Sequence, residues 1–181
     1  ELRLQDLVAP PSGGPQTIVY AETREACTKL LRELAAELAG ESNGSDPIAL
    51  LVDNGLYSVP CDFGCVKAGL RRTPLNTRLS VEEHRRMLGL TGARHLIYGP
   101  GQAERAAALQ ADLPHVMLLG LGDSEAGPDL LLKSAEASDA DPRLALHPDD
   151  IALALFTSGT SRNAGLRVDR VAYRDQSRKL T

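Results

Sequence analysis

Four consecutive small residues, Thr157-Ser158-Gly159-Thr160, offer the densest chemistry in the chain. The glycine lets the backbone turn tightly and approach a ligand, and the three hydroxyls and freed backbone N–H groups can hold phosphate oxygens. What feeds them matters as much as what they are. Asp149-Asp150 leads into Ile151-Ala152-Leu153-Ala154-Leu155-Phe156, six apolar residues without a break, the length of a buried parallel strand. A strand that discharges straight into a hydroxyl-rich turn is what a phosphate-binding loop requires.

Other groups with chemical potential read more plainly as structure. Gly99-Pro100-Gly101-Gln102-Ala103-Glu104 follows one expected strand and opens a helix, and Asp123 lies about 20 residues on, the layout of a dinucleotide loop with its ribose-binding acid. Glu104 stands where the third glycine belongs, and a carboxylate beside a pyrophosphate is repulsive, so an ordinary strand–helix turn is the better reading. Cys27, Cys61 and Cys65 make an odd count. Cys61 and Cys65 sit four apart and can share a helix face, but two thiols do not make a zinc site. All three read as small buried apolar side chains in a reducing compartment.

His84, His95, His115 and His147 form no short metal-spaced pair. No arrangement for nucleophilic catalysis can be assigned from their spacing, and surface or strand-end positions are expected. Helix-start and loop roles account for the paired acids Glu82-Glu83 and Asp149-Asp150. Arg85-Arg86 reads as a solvated helix face.

The elements that must position the loop come from 181 residues, enough for one domain with a sizeable core or for part of a larger one. Apolar residues make up 43% but aromatics only 3%, and Trp is absent, so the core must be aliphatic. A net charge of −4 argues against a general nucleic-acid or anionic-membrane surface. No apolar run approaches the roughly 18 residues of a membrane span, and no signal peptide is read; the expected compartment is the cytoplasm.

Residues 17–20 read as a β-branched strand. Ala26, Leu30, Leu34 and Leu38 then repeat every four residues along a helix that Gly40 stops. Residues 48–52 form a second buried strand, turned by Asp53-Asn54-Gly55. Residues 56–68 read as a helix, with Pro60 an irregularity inside it, and 70–76 return to the sheet. Ser80-Val81-Glu82-Glu83 is a capping box for a helix running to about Leu90 and stopped by Gly92. Strands at 94–98 and 115–119 flank a short helix at 103–109, and Pro128 opens a helix to about Ser138. After the loop, residues 168–180 are expected to be helical; a strand at 170–173 is the alternative. Strands alternating with helices predict an α/β fold, a mostly parallel sheet with helices on both faces.

The order of these landmarks resembles the adenylate-forming (AMP-binding) superfamily, and within it the N-terminal portion of acyl-CoA synthetases. Tyr20-Ala21-Glu22, the strand and turn from Ile48 to Gly55, and Cys65-Val66-Lys67-Ala68-Gly69 each resemble a family landmark. So do Thr73-Pro74-Leu75-Asn76-Thr77-Arg78-Leu79, the Ser80 helix start, Gly92-Ala93-Arg94 and the Thr-Ser-Gly-Thr run. Residues 17–160 carry the likeness and 161–181 are a tail of uncertain structure. The resemblance implies that Thr157, Ser158, Gly159 and Thr160 contact ATP phosphates, with Mg²⁺ present. A carboxylic acid, in the first instance a fatty acid, then becomes an acyl-adenylate, and coenzyme A takes the acyl group.

Two departures shape the expectation. The family loop continues toward Pro-Lys-Gly, whereas this chain has Ser161-Arg162-Asn163-Ala164-Gly165. The family's adenine-binding, Mg²⁺-binding and ribose-binding segments and its catalytic lysine would all lie beyond Thr181. The 181 residues are therefore expected to be a single α/β domain, an N-terminal fragment not competent alone. The alternative is a non-catalytic homologue used for binding or dimerisation, in which a homodimer is natural. Arg71 and Arg72, in what is usually an apolar strand, must lie at a sheet edge or be paired.

Overall fold

The computed structural model describes residues 47–55, 58–138, 140, 151–156 and 166–169, together with Ala36 and Leu38. The expected strand at 17–20, most of the helix after it, Cys27, His147, Asp149-Asp150, Thr157-Ser158-Gly159-Thr160 and residues 170–181 lie outside the described residues. Ala36 and Leu38 are helical, and Leu38 is buried.

The elements run β1 (Pro47–Leu51), α1 (Ser58–Lys67), β2 (Arg71–Pro74), α2 (Val81–Thr91), β3 (His95–Tyr98), α3 (Ala103–Asp112), β4 (Met117–Gly120), α4 (Leu130–Ala135), β5 (Leu153–Phe156) and β6 (Leu166–Asp169). The strands form one sheet in the order β4-β3-β1-β2-β5-β6. Every pairing is parallel except β5 with β6.

Alternation along the strands sorts the core into two layers. Ile48, Leu50, Ile97 and Leu119 pack with Cys61, Cys65 and Ala68, with Leu130 and with helical Leu38 on one face. Ala49, Leu51, Leu96, Tyr98 and Leu118 pack with Leu88, Ala103, Ala106 and Leu109 on the other. Thus α1 and α4 cover one face while α2 and α3 cover the opposite one. Connectivity explains the division. The chain steps one way from β1 to β2, then reverses past β1 to β3 and on to β4. Crossovers of one hand that reverse direction must place their helices on opposite faces.

Local chemistry sets the element ends. Pro60 is the third residue of α1, inside the first turn, where its missing N–H leaves no hydrogen bond broken. Gly69 and Gly92 adopt φ of 70° and 66°. The amides that follow them reach back, Leu70 to the Cys65 carbonyl at 2.9 Å and Ala93 to Leu88 at 3.3 Å, closing α1 and α2 in the left-handed terminal turn that glycine permits. At the start of α2, the Ser80 hydroxyl accepts from the Glu83 amide at 3.3 Å and the Glu83 carboxylate accepts from the Ser80 amide at 2.9 Å.

Several expectations need correction. The six-residue buried strand at 151–156 is a four-residue strand in which Ala154 is buried and Leu153, Leu155 and Phe156 are half-buried. It lies one place from the sheet edge and pairs with β2 at a single aligned position, Arg72 with Leu153. The helix expected from residue 168 begins instead as β6, because Leu166-Arg167-Val168-Asp169 alternates at the strand period and pairs antiparallel with β5. The helix expected from Pro128 to Ser138 is the shorter α4, because Asp129 is its N-cap and accepts from the Leu131 amide at 2.9 Å. His84 is buried rather than on the surface.

Arg71 and Arg72 are not at an edge, since β2 lies between β1 and β5; they are paired. Arg71 donates to the Thr91 carbonyl at 3.3 Å. Arg72 forms an ion pair with Asp62 on α1 and donates to the Ala152 carbonyl at 3.0 Å.

Candidate functional site

The register of the parallel strands fixes where the hydroxyl run leaves the sheet. Met117 pairs with His95, His95 with Ile48, Ile48 with Arg72 and Arg72 with Leu153. Three residues further along β4, β3 and β1, Gly120, Tyr98 and Leu51 fall in one row at the carboxyl edge, and Phe156 ends β5 three residues past the pair that aligns it with β2. The next residue after Phe156 is Thr157. The antiparallel partner of Phe156 is Leu166, so positions 157–165 are the whole connection between β5 and β6. In open parallel sheets ligands bind outside the carboxyl ends of strands, at the point where connections diverge. Here that point lies between β1 and β3, with β5 two places from β1, about 10 Å at the usual strand spacing.

At this edge a polar web joins three loops. The Asp53 carboxylate, just beyond β1, accepts from the Thr77 hydroxyl after β2 and from Gln102 Nε2 after β3, the latter at 2.9 Å. Arg105 Nη1, in the first turns of α3, donates to the carbonyls of Thr77 at 2.7 Å and Leu79 at 2.6 Å. The Asn76 side chain accepts from the Arg78 amide at 3.0 Å, a local turn of the kind Asn favours. His84 Nε2 sits 2.9 Å from the Asn76 carbonyl, so that nitrogen carries the proton and donates. The segment from Pro74 to Leu79 is thereby held from α2, from α3 and from the end of β1. On the far side of β3, the Tyr98 hydroxyl accepts from the amides of Ala126 and Gly127, each at 3.0 Å, and fixes the loop after β4.

The electrostatics of this framework are structural. Burial lowers the pKa of His84 below the ordinary imidazole value, and the nearby Arg105 charge adds to that; the hydrogen bond to the Asn76 carbonyl and the Glu83 carboxylate oppose it. The imidazole is therefore neutral and serves as a fixed donor. Hydrogen bonds from Ser80, first its amide and then its hydroxyl, lower the pKa of Glu83 and favour the charged form that completes the cap. Cys61 and Cys65 are buried free thiols. The Cys65 pKa is pushed up, first by its hydrogen bond with Cys61 and then by burial, which suits packing rather than nucleophilic attack.

Other sequence candidates are equally placed. Gly99, Pro100 and Gly101 form the turn between β3 and α3, and Glu104 is an exposed residue of the first turn of α3. Asp123 accepts from the Glu125 amide at 2.8 Å in the loop after β4. Glu82 pairs with Arg85 on the exposed face of α2, and Arg86 is also exposed. Among the described residues, no group of three or more His, Cys, Asp or Glu side chains comes together to hold a metal ion. Nor is any described helix long and apolar enough to cross a membrane.

Sequence reasoning missed the web of Asp53, Thr77, Gln102 and Arg105. The available signal was positional: each of the first three directly follows the carboxyl end of a strand or its turn.

Comparison with known proteins matches the same architecture. The profile of the AMP-binding enzyme family matches residues 3–161. A feruloyl-CoA synthase from Amycolatopsis sp. is 33% identical over 148 residues, covering 82% of this chain and 27% of that protein. The long-chain-fatty-acid–CoA ligase FadD13 of Mycobacterium tuberculosis is 31% identical over 162 residues, covering 88% of this chain and 30% of its own length. The inhibitor-bound N-terminal domain of FACL13 from Mycobacterium tuberculosis superimposes with a TM-score of 0.71 at 25% identity, over 81% of this chain and 37% of that one. The chain thus spans less than a third of the length of these curated relatives.

Proposed function

Since the chain belongs to the AMP-binding enzyme family, we propose that it supplies the phosphate-binding part of an acyl-CoA synthetase-like ligase. Thr157, Ser158, Gly159 and Thr160 hold ATP phosphates through hydroxyls and backbone N–H groups. The observation that supports this assignment is the parallel pairing of β5 with β2 at Leu153 and Arg72, which makes Phe156, the residue before the hydroxyl run, the carboxyl end of a strand in the parallel sheet. A short turn with three hydroxyls, emerging there, fits an anion.

In the complete enzyme a carboxylate oxygen attacks the α-phosphorus of ATP in line and displaces pyrophosphate, and a thiol, coenzyme A, then takes the acyl group. Mg²⁺ bound with the nucleotide would offset charge on the leaving pyrophosphate. The contribution of these residues is to orient phosphate oxygens and stabilise that charge; aligned with less than a third of the curated relatives' length, the 181 residues by themselves are expected to show no turnover. The acid is a fatty acid, by analogy with the FadD13 relative, and the feruloyl-CoA synthase makes a feruloyl-type acid the competing outcome.

A second reading, a non-catalytic homologue used for binding or dimerisation, is favoured by one observation. Ser161-Arg162-Asn163-Ala164-Gly165 stands where the loop's Pro-Lys-Gly is expected.

Calorimetric titration with ATP-Mg²⁺ separates the two. Saturable binding is expected, weakened by Thr157→Ala or Ser158→Ala about 10- to 100-fold, the value of a hydrogen bond to a charged partner. No heat at millimolar ATP would favour the non-catalytic homologue. Pyrophosphate exchange driven by a panel of carboxylic acids should stay undetectable, and a clear signal would overturn the claim that these residues lack turnover.

A further inference from the structure

The hydroxyl run follows β5 in sequence, and the hairpin β5–β6 joins the rest of the sheet through β2. Within the hairpin four residue pairs align, from Leu153 with Asp169 to Phe156 with Leu166. Between β5 and β2 only Arg72 and Leu153 align. At that junction Arg72 makes three connections. Its amide donates to the Ala152 carbonyl at 3.1 Å, its Nη1 donates to the same carbonyl at 3.0 Å, and its Nε is ion-paired with Asp62 on α1. The Arg72 side chain is only 12% exposed, against 33% for Asp62.

We infer that Arg72, braced by Asp62, is the positioning residue that seats the β5–β6 hairpin on the sheet, and with it Phe156, the strand end that precedes the proposed phosphate-binding run. The chain around it explains why one side chain carries this duty. Arg72 alternates with Thr73, which is buried on the opposite side of the strand, and so projects toward α1, where Asp62 lies within reach. Guanidinium geometry lets one headgroup bridge a carboxylate and a carbonyl at once, which a point-charge ammonium cannot do as well. The two Ala152 contacts share one acceptor, so losing the side-chain arm leaves the backbone ladder between β5 and β2 without its side-chain support. The positioning part of the inference rests on the phosphate assignment above; the seating part does not.

Hydrogen exchange on the 181-residue chain, read at Ala154–Phe156 and at Leu96–Tyr98 as the framework reference, tests the seating. Arg72→Met should speed exchange at β5 about tenfold or more while β3 is unchanged, because a charge-assisted hydrogen bond is lost locally. Arg72→Lys should recover part of the protection. Should Arg72→Met fail to fold, Asp62→Asn keeps the bond to Ala152 and removes the brace, giving a smaller acceleration in the same place. Unchanged β5 exchange in these variants, or equal acceleration in β3, would overturn the inference. ATP-Mg²⁺ affinity should fall in the order wild type, Arg72→Lys, Arg72→Met; an affinity that stays constant while β5 exchange accelerates would overturn the positioning role. Absence of ATP binding in the wild type would instead sink the functional assignment, leaving exchange alone to decide the seating.

Discussion

The strands β1 to β4 and the hairpin β5–β6 belong to one sheet but are held by different physics. Within β1–β4 each neighbouring pair aligns along four residues, and the strands bury Leu, Ile and Ala side chains against helices on both faces. Burying such a side chain fully is worth about 1.5–3 kcal/mol, so this framework opens as a unit. The hairpin has one aligned pair to β2 and a polar brace. Elements that handle ligands are drawn from the less stable end of a structure. The expectation is a fixed edge in β1–β4 and, in the hairpin, local opening that leaves that edge intact.

The largest expected effect comes from the framework. Leu96 is fully buried in the centre of β3, and Leu96→Ala should lower global stability by about 2–5 kcal/mol through lost transfer energy and a cavity. Urea unfolding measures the loss. Hydrogen exchange sharpens the contrast, because protection of β1 and β3 amides should fall in step with the global value. The β5 amides, which exchange through local opening, should change much less. Proportional losses in both regions would erase the distinction.

Much of the framework could be read from the sequence because its signals are local. The Ser80–Glu83 cap spans four positions, the Gly69 and Gly92 stops sit one residue past their helices, and the apolar run at 48–52 leaves no ambiguity about β1. Boundaries slipped where tertiary pairing decides them. β4 runs from Met117 to Gly120 rather than 115–119 because His115 lies in the turn before the ladder to β3 begins. β6 escaped notice because four residues fit either period, and only the partner strand selects one. Distance hides the rest: Arg72 finds its partners 10 and 80 positions away, and Asp53 finds Thr77 and Gln102 at 24 and 49. The hydroxyl run at 157–160 was conspicuous by residue type, whereas the place of β5, the strand before it, between β2 and β6 required the sheet order.

A smaller effect is expected at the cap of α2. Ser80→Ala removes the acceptor for the Glu83 amide and should cost about 0.5–2 kcal/mol. Urea midpoints measure it, and the β5 amides should again be insulated. If this mild framework change loosened β5 more than β3, α2 would have to be counted among the hairpin's supports.

The smallest expected effect is a pH dependence, and it belongs to the framework alone. His84 is buried, donates through Nε2 to the Asn76 carbonyl at 2.9 Å, and lies near Arg105 and Glu83. Its folded pKa is lowered, chiefly by burial, so in the window below the ordinary value of about 6.5 the unfolded chain binds a proton that the folded chain refuses. Stability from this site is complete above that value and is lost as pH falls toward the folded one. Urea midpoints at pH 7.5 and 5.5 should drop for the wild type and drop less for His84→Gln, whose amide can still donate to Asn76. Because His84 holds the segment before α2 and not β5, hydrogen exchange in the hairpin relative to β3 should not rise over the same interval. An equal fall in wild type and variant would assign the pH dependence to other groups. A selective rise at β5 would mean that the segment clamped by His84 also steadies the hairpin, and the division between fixed edge and movable attachment would have to be redrawn.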